Sequence, residues 1–354
     1  MSLSKVLTKL GLREIKNNWK QLLAITTIGA IAVTLFVGLM ANAENFSDRV
    51  ETTFNNGNMA DIWVTTSSHD KKDEAKIKEI VGDNGNVESR FEITGQAGSH
   101  SIYAVIENGE PTISKPYDLT KGEKDTDTYF VRIDEAISNK YNPNGYKIGD
   151  PFDVTIDMSS FGKMSSLLSD LLHLEDYYEE AKNPFKMSSL CLNLEVTGYM
   201  KYPENIAKAS YSGSTVTISD FAFHEAFDNL LLKNMKPTVS EEDKKEESEL
   251  IHQVLSETNM FLEWGCDKTK RVLAPNQYLI TIKDKTKLNT IKESIEAYFD
   301  NKKNDNFVSL NDRSNMPFVV TVHNDVEQAR NFTYLFPFVF FFVAILVILT
   351  TTSQ

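Results

Sequence analysis

Side chains capable of chemistry are plentiful in this sequence but are not spaced for it. His224-Glu225-Ala226-Phe227-Asp228 departs by one residue from H-E-x-x-H, where two imidazoles one helical turn apart hold a metal. With Asp228 in the second position the run reads as helix surface. His69, His100, His173, His252 and His323 are scattered without ligand spacing. Asp170, Glu175, Asp176, Glu179 and Glu180 gather on one stretch, as an acid and a base would need, yet among 50 acidic residues they read as a chance cluster. Neither G-x-x-x-x-G-K-[ST] nor G-x-S-x-G occurs, so the chain has no phosphate-cradling loop and no nucleophile elbow. Cys191 and Cys266 form no C-x-x-C. Sequence gives no distance between them, so a disulfide and two free thiols both stay open. The expectation is a non-catalytic chain without metal or cofactor.

The elements around these residues point to a membrane. Gln21 to Ala43 holds no charged residue, and at about 1.5 Å per residue a helix there is long enough for a hydrocarbon layer of about 30 Å. Asn331 to Gln354 is a second uncharged run of similar length. Two spans, 21–43 and 331–354, are expected. A cleaved signal peptide is the rival reading of the first, because Ala41-Asn42-Ala43 has the small-x-small form of a cleavage site. Its apolar part exceeds the roughly 7 to 15 residues of that class. Lys5, Lys9, Arg13, Lys16 and Lys20 precede the first span and an acidic stretch follows it, which places the N-terminus in the cytosol and 44–330 outside. Residues 3–20 place Leu3, Val6, Leu7 and Leu10 at helical spacing, an amphipathic helix on the inner membrane surface. Thr27, Ala30, Thr34 and Gly38 share one face of the first span, narrow enough for another helix to approach.

The whole chain carries a net charge of -13 despite the basic excess in residues 1–20, so the outer segment is more acidic still and nucleic acid is excluded as a partner. Phe46, Val50 and Phe54 continue the first helix to a stop at Asn55-Asn56-Gly57-Asn58. Asn324 and Glu327 resemble a capping box that opens the second, with a kink expected at Pro337. Between the two, periodicity predicts strand 61–66, helix 71–82 and strands 87–94 and 100–107. It then predicts strand 277–283, helix 285–300 and strands 306–310 and 317–323. Two β-α-β units separated by a long insertion give the expected fold class: α+β, a split ferredoxin-like layer from 44–110 and 271–323, with a mixed inserted subdomain at 111–270. The insertion is read as strands 129–133 and 152–156, a short helix 134–141 and helices 163–182, 219–235 and 240–263. Leu167, Leu168, Leu171, Leu172 and Leu174 form a stripe on the first of these, read as core.

The run LREIKNNWKQLLAITTIGAIAVTLFVGLMANAENF, followed by DRVETTFNNGNMADIWVTT, resembles the start of FtsX-like permeases of the MacB type of ABC transporter. YFVRIDEAISNKYNPNGYKIGDPFDVTI is similar to part of their outer domain, and RNFTYLFPFVFFFVAILVILTTTSQ to their second span. Residues 157–270 match nothing in that pattern. The resemblance implies a bacterial plasma-membrane permease subunit that pairs with a cytosolic ABC ATPase and with a second permease copy or half. It implies that ATP-driven motion passes along the helices to the outer domain. Permeases of this family have at least four spans, so the sequence is expected to be a fragment or a half-permease. The leading expectation is export or extraction of a lipoprotein, lipid or peptide. The alternative is a sensing scaffold that binds a cell-wall hydrolase or peptide antibiotic without transport, and an anchored ectoenzyme is the weakest reading.

Overall fold

A computed structural model describes residues 18–66, 71–107, 109–157, 174–184, 189–206, 213–257, 275–302 and 308–352, with five isolated positions besides. Most of the amphipathic helix expected at 3–20 and of the one expected at 163–182 lies outside the described residues. The chain divides into two compact units, Met1–Thr52 with Val322–Gln354, and Thr53–Thr321.

The first unit is built from helix α1 (Trp19–Asn56) and the final helix of the chain, Pro317–Thr352. Apolar side chains cover both: Val33, Val37, Phe338 and Phe342 are each more than half exposed. One segment, Thr26–Asn56, is long and apolar enough to cross a membrane among the described residues. Its less exposed positions, Phe36, Met40, Ala43, Ser47 and Val50, step by four and three. Val326, Ala329 and Thr333 of the last helix do the same. This is the seam spacing of paired helices, and the Arg330 guanidinium reaches Ser47 Oγ across it at 3.4 Å. Ala43 and Val50 on the one helix and Val326 and Thr333 on the other are buried.

The second unit carries a mixed sheet of eleven strands. Its first layer joins β1 (Ile62–Thr66), helix α2 (Lys71–Val81), the front of β2 (Gly85–Ala97), β10 (Gln277–Ile282), helix α5 (Leu288–Asn301) and β11 (Val308–Asp312). The order β11-β1-β10-β2 is antiparallel throughout, the interleaving of two β-α-β units that the sequence suggested. Ile62, Val64, Tyr278 and Ile280 face Ile77 and Val81 of α2 and Ile291 and Ile295 of α5, a core closed by helices on one side. Asp73, at the start of α2, is buried there and accepts from Tyr298 at 2.7 Å and from Lys302.

The rest of β2 leaves this layer and enters a second one. It pairs β3 (His100–Glu107) and touches β6 (Pro151–Asp157). From β3 the sheet runs through β9 (Gly213–Ser219), β5 (Val131–Ile133) and β8 (Gly198–Lys201) to β4 (Tyr117–Lys121), while β7 (Ser189–Glu195) pairs β6. Helix α3 (Asp220–Asn234) covers it, capped by Ser219, and α4 (Glu241–Glu257) follows. The β3–β9 and β5–β8 pairs are parallel. β2 thus carries the sheet from the first layer into the second, pairing β10 with its front half and β3 with its back half.

Three expectations are corrected. Residues 317–323 form the first turns of the last helix, α6 (Pro317–Thr352), not a strand. Val319, Val320, Thr321 and Val322 read as a β-branched run, but Pro317 suits a first helical position, where an N–H has no partner to lose. Asn324 and Glu327 consequently sit inside α6 rather than at its cap, and the helix runs on through Pro337. The described end of the 163–182 helix is one turn, Leu174–Tyr177, followed by a 3-10 turn at Glu180–Lys182. Tyr178 bridges Met235 there, and Lys236 donates to the Tyr177 carbonyl at 2.8 Å, which stops the helix.

The helix register is testable. In a background with Cys191 and Cys266 changed to Ser, Ala43→Cys with Thr333→Cys is expected to cross-link under mild oxidation. Thr34→Cys with Thr333→Cys is expected not to.

Candidate functional site at the foot of the first helix

Helix α1 ends in a tightly built stop. Asn58 adopts the left-handed conformation at φ 44°. Met59 N donates to Phe54 O at 2.9 Å and Asn58 N to Asn55 O at 3.1 Å, the paired bonds of a Schellman cap. Buried Phe54 and Met59 supply its apolar contact.

Three remote segments hold this cap. Arg313, between β11 and α6, donates to Met59 O at 2.5 Å and Ala60 O at 2.9 Å and lies over the Phe54 ring. It also pairs with Asp61 at 3.2 Å; the Asp61 carboxylate takes Ile282 N at 2.7 Å and Lys285 as well. The loop 109–116 supplies the second hold: Ser114 N and Lys115 N donate to the carbonyls of Asn58 and Gly57, each at 2.8 Å. Ser114 Oγ accepts from Ala60 N at 3.1 Å, and Asn58 Nδ2 donates to Thr112 O at 2.7 Å. Glu88 of β2 pins that loop through Thr112 N at 2.7 Å and Ile113 N at 3.1 Å. The third hold is Pro203, whose ring fills the space beside Gly57; a Cβ on Gly57 would stand 2.5 Å from Pro203 Cγ.

Pro203 is placed by the residue that follows it. Glu204 is buried and accepts from Arg90 at 2.8 and 3.0 Å and from Trp63 Nε1 at 3.0 Å. Arg90, also buried, sits where β2 passes from one layer to the other; it reaches Gln277 Oε1 and Tyr202 Oη at 2.5 Å each and Glu92 at 3.3 Å. Burial opposes the charge on Arg90, but Glu204, with Tyr202 and Glu92, outweighs it and holds the guanidinium more firmly protonated than usual. Burial raises the Glu92 carboxyl above its ordinary range and Glu204 adds to that, against the pull of Arg90. Trp63 meets Phe318 of α6 edge to face at 5.7 Å, so the same cluster touches the start of the last helix. Asn205 completes the segment through two bonds to Thr215 of β9, at 2.7 and 2.9 Å.

The ends of α1 and α6 meet β1, β2, β9 and the loop 109–116 within one network of hydrogen bonds. No group of three His, Cys, Asp or Glu side chains suited to a metal occurs among the described residues. No family model matches this chain, and no curated protein does.

The residues singled out in the sequence lie elsewhere. Thr27, Ala30, Thr34 and Gly38 are all exposed on the side of α1 opposite the Ala43–Val50 seam, and Thr34 Oγ1 donates to Ala30 O at 2.8 Å. α6 therefore packs on the other face of α1, which the small-residue pattern did not mark. Cys191 is an exposed free thiol on β7, and Cys266 lies outside the described residues. His224 and Asp228 are buried rather than on helix surface, because α3 turns Phe223, Phe227 and Leu231 inward on a broad face. Glu175, Asp176, Glu179 and Glu180 are exposed on separate turns, and Leu174 is core. Sequence reasoning missed Arg90, Glu204 and Arg313. The one local signal was an arginine in an otherwise strand-like run.

Glu204→Ala leaves Arg90 buried without its main partner and is expected to cost about 3 to 5 kcal/mol in denaturant unfolding. Glu92→Gln is expected to raise Tm near pH 7 and to lose that advantage as pH falls toward 4. The folded-state pKa of Glu92 is raised, so wild-type folding binds a proton and is weakened as pH climbs above the unfolded value.

Proposed function

We propose that this chain is a permease subunit of an ABC transporter of the MacB and FtsX type. In this reading α1 and α6 both cross a bacterial plasma membrane, the N-terminus is cytosolic and 44–330 lie outside. A cytosolic ATPase on another chain drives the helices, a second permease copy or half completes the assembly, and the lobe turns helix motion into export or extraction of a lipoprotein, lipid or peptide.

The observation that carries the reading is the junction itself. Arg313, one turn before α6, grips the two carbonyls that follow α1, so the two membrane-length helices end on one hydrogen-bonded point. A displacement of either helix end is passed to β1 through Asp61 and to β2 and β9 through Glu88, Glu204 and Asn205. Exposed Phe332, Leu335, Phe338 and Phe342 on α6 suit lipid, where exposure to water would be costly. The basic N-terminus sets the orientation.

The full chain, expressed in bacterial membranes and purified in mild detergent, is expected to carry an ABC ATPase identifiable by mass spectrometry. Gly57→Ala, which forces Pro203 off the cap, is expected to leave ATP hydrolysis near wild type in reconstituted vesicles and to lower ATP-dependent movement of labelled lipoprotein at least about fivefold; the overpacking itself is expected to cost about 1 to 3 kcal/mol of stability. Absence of an ATPase, or a lobe shielded from protease added to intact cells, would overturn the reading. ATP-dependent binding of a soluble partner with no movement would assign the chain to the sensing class instead.

A further inference from the structure

Among the described residues, three other than glycine hold a left-handed backbone: Asn58 at φ 44°, Ser114 at φ 47° and Asp118 at φ 53°. They are not scattered. Asn58 belongs to the α1 stop, and Ser114 and Asp118 bracket Lys115-Pro116-Tyr117, the first of which reaches that stop through its backbone N–H. Asn and Asp tolerate this conformation through their short polar side chains. Ser114, fully buried, is the strained member of the three.

The strain is held in place by the helix end. Ser114 N donates to Asn58 O and Lys115 N to Gly57 O, each at 2.8 Å, and Ser114 Oγ accepts from Ala60 N at 3.1 Å. On both sides of the bracketed segment the chain is tied to other elements. Upstream, Glu88 Oε2 takes Thr112 N at 2.7 Å and Ile113 N at 3.1 Å, Asn58 Nδ2 donates to Thr112 O at 2.7 Å, and Ile113 is buried. Downstream, Thr120 and Lys121 of β4 pair with Tyr199 and Gly198 of β8, and the register shifts between Tyr117 and Thr120, where Asp118 stands. The Asp118 side chain meets Lys201 at 2.5 Å in an exposed pair, which resists a backbone turn only weakly. Pro116 fixes its own φ and restricts Lys115 to extended backbone, so rotation is left to Ser114 and Asp118.

We propose that 115–117 is a two-position catch on the end of α1, turning about Ser114 and Asp118. In the structure the catch is closed: the carbonyls of Gly57 and Asn58 have their donors and Ser114 carries the strain. In the open position Ser114 relaxes to extended backbone and its N–H and that of Lys115 leave the helix end, while the bonds of 112–113 to Glu88 and of Thr120 and Lys121 to β8 remain. A residue in a sparsely populated conformation persists only while its surroundings over-determine it, and here the over-determining bonds come from the α1 stop. The catch closes when that stop is in place and opens when it is displaced. The inference goes beyond the permease reading and stands without it, because opening needs no ATPase.

The test is hydrogen exchange of the full chain in lipid nanodiscs, read at single amides by fragmentation mass spectrometry. Ser114 and Lys115 are expected to share one protection factor, at least about tenfold below that of Ile113. Ser114→Ala and Ser114→Gly both remove the hydroxyl that Ala60 N uses, but of the two new residues only glycine suits a left-handed backbone. The protection factor of Lys115 is expected to be at least about threefold lower in Ser114→Ala than in Ser114→Gly. At an unstrained site the order reverses, because glycine has more freedom to lose. An equal or reversed order, unlike protection of Ser114 and Lys115, or protection of both as high as at Ile113 would refute the catch. If either variant fails to fold by thermal unfolding, the wild-type protection factors decide alone. Absence of an ATPase from the purified chain would overturn only the permease reading.

Discussion

An arginine cannot shed its charge to enter a protein interior, so burying Arg90 commits the fold to delivering a carboxylate to it. Glu204 comes from 114 residues away to meet that demand with both oxygens, and its Oε1 also accepts from Trp63 Nε1. The consequences reach outward from this one pair. The turn that carries Glu204 must lie against β1, which sets Pro203 beside Gly57 and lets Asn205 lock onto Thr215. Arg90 sits in the middle of β2, the single strand shared by both layers, so the pair fixes the antiparallel layer against the mixed one at their common strand.

The second anchorage is held by peptide groups rather than by charge. Each carbonyl of Gly57, Asn58, Met59 and Ala60 that α1 leaves behind its cap is taken up by a donor from elsewhere: Lys115, Ser114 and Arg313. Buried carbonyls must be paired, and here the pairing joins elements distant in sequence instead of closing a local turn. Arg313 lies between the exit of one helix and the entry of the other.

Much of this architecture is legible in the chain. Ile62-Trp63-Val64, the alternation in 277–282 and the inward spacing of Asp73, Ile77 and Val81 announce strands and helices of the first layer, and their order along the chain implies the interleaved pairing. The stop at Asn55-Asn56-Gly57-Asn58 is also plain, because few residues other than Gly and Asn tolerate a positive φ. The run from Phe318 to Val322 was misleading for the converse reason: β-branched residues favour strands on average, while Pro317 and the contact of Phe318 with Trp63 favour a helix at this site. Small residues on α1 pointed to close packing, but the seam with α6 uses Ala43, Ser47 and Val50, spaced by fours and threes on the opposite side.

What the sequence by itself determined is whatever depends on neighbours a few residues apart: uncharged runs of membrane length, the acidic balance, the periodicity of strands and helices and the α1 stop. Only the tertiary structure decided that Arg90 meets Glu204, that Arg313 closes on Met59 and Ala60, and that Ser114 and Lys115 take the carbonyls of Asn58 and Gly57. These contacts join segments separated by up to 254 residues, and no local pattern encodes which distant charge will neutralise a buried one or which donor will reach an orphaned carbonyl.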